Sequence, residues 1–130
     1  TSMTTSSSRI RRQRDPRYRR FVEAEAVARA RLRSLSKQAP AREMYMAVDA
    51  TLAEYIAAKT DVAAVSLSPE EARALLTEAG CRADTAARAE ELLRSLRHAV
   101  YAPPGTMSMG AEELDGAVLG LITQIEGELR

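Results

Sequence analysis

The chain has 130 residues, 45% of them hydrophobic and 28% charged, with one cysteine and a formal charge of +1. That composition excludes a fully disordered chain, a disulfide-stapled or multi-cysteine zinc scaffold, and two ordinary domains with separate cores. The near-neutral total hides a division: residues 1–42 hold twelve Arg or Lys against three acids, a net +9, whereas residues 43–130 hold seven against fifteen, a net −8.

Alanine supplies 24 residues, Trp is absent and β-branched residues are scattered, which favours helix over strand in nearly every window. The expectation is an all-α fold: a compact bundle of about five helices, with a disordered tail and a basic first helix. Residues 1–8 (TSMTTSSS) offer nothing to bury, and 1–15 as a whole reads as a disordered basic arm. Within it and just beyond stand seven arginines, Arg9, Arg11, Arg12, Arg14, Arg17, Arg19 and Arg20, against the single acid Asp15. The rest of the chain, 16–130, reads as one helical domain.

Asp15 and Pro16 suit an N-cap and first turn, opening a helix expected over about 16–38. Phe21, Ala24, Ala28, Leu32 and Leu35 form only a thin apolar stripe on it, so partial docking is expected. After Pro40, the residues Met44, Tyr45, Val48, Leu52, Tyr55 and Ile56 recur at helical spacing and predict a core helix over about 41–59. Ser68-Pro69-Glu70-Glu71 has the form of a capping box and starts a third helix at Pro69. That helix, 69–79, carries Ala72, Leu75, Leu76 and Ala79 inward and stops at Gly80. Asp84 is the expected cap of a fourth helix over about 84–101, with Ala89, Leu92, Leu93, Leu96 and Val100 on its apolar side and exposed pairs Arg88–Glu91 and Glu90–Arg94. Ala102–Gly110 is too rich in Pro and Gly for regular helix. The last helix, about 111–129, opens on Glu112, Glu113 and Asp115 and shows the clearest periodicity, in Leu114, Val118, Leu121, Ile122, Ile125 and Leu129.

No catalytic constellation emerges. His98 has no second His or Cys at ligand spacing and reads as a surface or half-buried imidazole, so no metal is expected. Cys81, beside the start of the fourth helix, is a candidate activated thiol, but a small filler between helices is the plainer reading. The doublets Glu70/Glu71, Glu90/Glu91 and Glu112/Glu113 read as caps and solvated faces, and no glycine loop suits a phosphate. No cofactor and no small-molecule substrate are expected. Neither long uncharged stretch, Ala99–Ala111 with its prolines or Gly116–Ile125, reaches the roughly 20 apolar residues of a spanning helix. What remains is the arginine segment, which suits nucleic-acid phosphates, anionic lipid head groups or an acidic protein surface. Tyr18 and Phe21 are the aromatics near it, and the acidic remainder would repel a polyanion. Arginines beside a membrane anchor would keep that side in the cytoplasm and attract anionic lipid.

The ordered series Tyr45, Leu52, Tyr55, Leu67-Ser68-Pro69-Glu70-Glu71, Leu75-Leu76, Gly80, Leu92-Leu93 and Tyr101-Ala102-Pro103 resembles the C-terminal cytoplasmic region of BatD-type oxygen-tolerance proteins, over about residues 17–130. The resemblance implies a bacterial membrane protein with extracytoplasmic β-rich domains and one span ending just before this chain, associated with MoxR-type ATPases and von Willebrand A-domain membrane proteins. It implies no enzyme and no ligand residues, but a soluble docking module on the cytoplasmic face of the inner membrane. A small nucleic-acid-binding regulator that uses Arg9–Arg20 is the alternative expectation.

Overall fold

A computed structural model describes residues 15–35, 40–103 and 111–129. The expected basic tail with Arg9, Arg11, Arg12 and Arg14, and most of the Pro/Gly stretch, lie outside those residues. Asp15 accepts a hydrogen bond from the Arg17 backbone N–H at 2.9 Å, and Pro16 fills the first turn of α1 (Pro16–Ser34). The helix ends at Ser34, short of the expected residue 38. The Ser34 hydroxyl donates to the Arg31 carbonyl at 2.8 Å, and Leu35 is already extended, with its N–H closing on the Leu32 carbonyl at 3.3 Å. A serine that bonds back to its own last turn competes with continuation of the helix.

α2 (Ala41–Thr60) follows and runs back along α1, ending at Asp61 in the left-handed conformation, which Asp tolerates better than most residues. A short 3-10 turn (Ala64–Ser66) leads to α3 (Pro69–Ala79). There Ser68 caps the helix: the Glu71 N–H donates to the Ser68 hydroxyl at 3.1 Å, and that hydroxyl in turn donates to the Glu71 carboxylate at 3.2 Å. Gly80 closes α3 at φ +115°, a conformation a Cβ would strain. α4 (Ala83–Tyr101) and α5 (Ala111–Glu128) complete an all-helical fold with no strand among the described residues.

The core lies between α2, α4 and α5, with α3 packed on α4 and α1 on the outside of α2. Leu114, Val118, Leu121, Ile122 and Ile125 of α5 are completely buried, against Leu52 and Ile56 of α2 and Leu93 and Leu96 of α4 in the same cluster. Each such side chain contributes about 1.5–3 kcal/mol over leaving it in water, before entropy is subtracted. Met44, Tyr45 and Leu75 are half-buried, and Ala79, expected inward, is exposed. Among the described residues, no buried side-chain nitrogen or oxygen lacks a hydrogen-bond partner.

Candidate interaction surfaces

α1 is fixed by side chains from both its flanks. On one flank, Arg20 donates to the Val62 carbonyl at 2.8 Å and lies 3.7 Å from Asp61, so it closes the C-terminal end of α2; further along, Arg31 pairs with Glu54. On the other flank, Arg29 holds Glu25 at 3.0 Å and donates to the Thr123 hydroxyl of α5 at 2.9 Å. Between the flanks, α1 buries only Ala24, Ala28 and Leu32, with Phe21 and Leu35 half-covered. Of the sequence-nominated arginines, Arg20 is therefore turned into the fold. Arg17 stands beside Asp15 at 3.9 Å and is exposed, and Arg19 and Arg33 are also exposed.

Beneath Phe21 lies a cluster that the sequence does not announce. Lys59 is 7% exposed, and its ammonium sits 2.6 Å from the Glu126 carboxylate and 3.8 Å from the centroid of the Phe21 ring. The same carboxylate accepts the Tyr55 hydroxyl at 2.5 Å. Burial first, and then the hydrogen bond to the Glu126 carboxylate, push the Tyr55 pKa well above the ordinary phenol value, so the hydroxyl remains a donor. A lysine pays a large desolvation cost when buried unless a counter-charge and a ring face replace its water. The cluster thus ties α1, α2 and α5 together at one point.

A second shared carboxylate joins α5 to α4. Glu128 accepts the Arg82 backbone N–H and the Thr85 hydroxyl, each at 2.7 Å, and so caps the N-terminus of α4 from another helix. This corrects the expected Asp84 cap: the helix begins one residue earlier, with Arg82 in the cap position, and the Asp84 carboxylate meets the adjacent Thr85 N–H at 3.0 Å and the Arg82 guanidinium at 4.0 Å. The Arg82 N–H chiefly, then the Thr85 and Gln124 side chains, hold the Glu128 carboxyl below its usual range against the opposing effect of burial. Arg88, expected beside Glu91, instead donates to Gln124 of α5 at 2.8 Å, whereas Arg94 does pair with Glu90 at 3.0 Å and also with Glu70.

On the opposite side, α2, the 3-10 turn and the end of α4 enclose an open groove of about 510 Å³. Ala50, Ala53, Leu67 and Val100 line its apolar part, and Asp49 and Arg97 meet at 3.2 Å beside them. Three large apolar side chains on the groove stay in water: Met46 is 51% exposed, Tyr101 84% and Val65 96%. Scattered exposed apolar residues are ordinary, but three around one groove make a contiguous patch of the kind that marks a contact surface. Tyr101 is the last residue of α4, and Val65 is presented by a 3-10 turn that periodicity alone does not reveal.

Cys81 is 6% exposed, and burial, with the Glu128 carboxylate second, pushes its thiol up to about 11, opposite to an activated nucleophile. His98 is exposed on α4, and no group of three His, Cys, Asp or Glu among the described residues has the geometry to hold a metal ion. No described helix is long and apolar enough to cross a membrane. Compared with known protein families, with curated proteins and with solved structures, the chain matches none at a significant level.

Proposed function

We propose that this chain is a non-catalytic protein–protein interaction domain whose partner surface is the groove between α2 and α4. The observation that carries the reading is the exposure of Met46, Val65 and Tyr101 around one apolar groove, in a bundle whose other large apolar groups on these helices are mostly covered. Aromatic and methionine side chains that remain wet in the free state recover the cost when a partner's apolar side chains fill the groove. The partner that fits is an amphipathic helix, laying its apolar face between α2 and α4 with polar contacts to Asp49 and Arg97.

The membrane-adjacent part of the proposal rests on the arginine-rich segment and on the BatD-type resemblance. In it the domain lies at the cytoplasmic face of a bacterial inner membrane, as part of a longer membrane protein. It docks a MoxR-type ATPase or a von Willebrand A-domain membrane protein. Calorimetric titration of the purified chain with each of these two proteins from the same organism tests the partner. Binding to one of them, weakened at least about tenfold by Val65→Lys with Tyr101→Lys, is expected. No binding to either rejects that partner class, and binding that the two lysines leave unchanged rejects the groove.

A further inference from the structure

The apolar stripe of α1 and the arginines beside it have a second reading once their partners are known. Looking down the helix, Phe21, Ala24, Ala28 and Leu32 face the bundle, Arg20 and Arg31 border that stripe on the α2 side, and Arg29 borders it on the α5 side. A narrow apolar face flanked on both edges by cations is also the pattern of a helix that lies in the interface of an anionic bilayer. The two uses are exclusive, because the same stripe and the same three guanidinium groups serve both.

The docked state combines a few small apolar side chains with exposed ion pairs. Its apolar part is two alanines and one leucine fully covered, and the clamps Arg20–Asp61 and Arg31–Glu54 sit at exposed positions where salt and competing anions reach them. Head-group phosphates accept from arginine as carboxylates do. Around the stripe, the helix carries further exposed cations at Arg17 and Arg33 and no acid in its first turn. Upstream in the sequence stand four more arginines, Arg9, Arg11, Arg12 and Arg14.

From this geometry we propose that α1 is an arginine-held strap: an anionic bilayer surface captures it by replacing Asp61, Glu54 and Thr123 as the partners of Arg20, Arg31 and Arg29. Its departure uncovers the α2–α5 face that holds Tyr55, Lys59 and Glu126. The inference rests on the membrane-adjacent part of the proposed function. It goes further in making membrane contact and a closed bundle alternatives.

Spin labels at Ala26→Cys on α1 and Glu91→Cys on α4, both exposed positions, report the distance between the two helices in the full chain with Cys81→Ala. The expected result is one short distance in solution and with neutral phosphatidylcholine vesicles, and a second, longer one with phosphatidylglycerol vesicles that disappears at high salt. The variant Arg20→Gln/Arg29→Gln/Arg31→Gln is expected to show the longer distance without vesicles while circular dichroism shows the other helices intact. Co-sedimentation with phosphatidylglycerol vesicles at an unchanged short distance overturns the strap and leaves the membrane-adjacent reading standing. Failure to sediment overturns both. A short distance in the triple variant, or a longer one produced by duplex DNA or single-stranded RNA but not by vesicles, also overturns it.

Discussion

α1 and α5 have nearly equal lengths, 19 and 18 residues, and both pack against α2, yet different forces hold them. α5 puts five branched aliphatic side chains completely out of water, whereas α1 buries two alanines and a leucine, half-covers Phe21 and Leu35, and adds arginines at its edges. Apolar burial is not screened by salt, whereas exposed ion pairs contribute up to about 1 kcal/mol each and fade as salt rises. The bundle therefore has a permanent seam and a conditional one. α1 itself carries six arginines against two glutamates, Glu23 and Glu25.

The comparison can be broken most forcefully at α5. Ile122→Ala is expected to destabilise the whole domain by about 2–5 kcal/mol, with a shift in urea midpoint that is the same at low and high salt. A loss under about 1 kcal/mol would mean that α5 is not the permanent seam. Next in size is the cluster under Phe21. Glu126→Ala strips the counter-charge from buried Lys59 and is expected to cost about 3 kcal/mol, and Lys59→Met in the same chain should recover much of it. Urea unfolding of both variants measures the recovery, and additive losses would show that the pair does not act as a unit.

Much of this fold is legible from local pattern. The caps at Ser68 and Asp15, the stop at Gly80 and the α5 stripe need only neighbours within one turn, so sequence spacing specifies them. What periodicity misses are groups whose partners lie on another helix. Nothing local marks Lys59 as buried until Glu126 and Phe21 are beside it, and Asp84 reads as the cap until Glu128 arrives from α5. The arginines are equally ambiguous: spacing shows their charge but not that Arg20, Arg29 and Arg31 meet Val62, Thr123 and Glu54. The groove depends on a 3-10 turn that presents Val65, and three residues of irregular helix leave no periodic trace.

Smaller effects sharpen the contrast. Glu128→Gln weakens a helix cap and is expected to cost about 1 kcal/mol near neutral pH. Because the native carboxyl titrates below its ordinary value of 4.5, its contribution is present above that value and is lost as pH falls through the lowered native one. Thermal unfolding of wild type and variant should therefore converge at low pH. A constant gap would show that the charge of Glu128 is not what matters. Cys81 works in the other direction, with a thiol that burial raises from 9.0 to about 11. Its contribution is complete below about 9 and declines as pH rises through about 11. Iodoacetamide at pH 8 is expected to alkylate the native chain at least about tenfold more slowly than the unfolded one. Equal rates would return Cys81 to the list of reactive groups.

The most direct test of the two-seam account is hydrogen exchange of individual amides in α1 and α5 as potassium chloride is raised from about 0.05 to about 1 M, where screening shortens from roughly 14 to roughly 3 Å. The account predicts that protection at Ala24 and Ala28 falls severalfold while protection at Leu121 and Ile122 holds or grows. A parallel response of the two helices, or protection at Ala24 and Ala28 that is indifferent to salt, would contradict it.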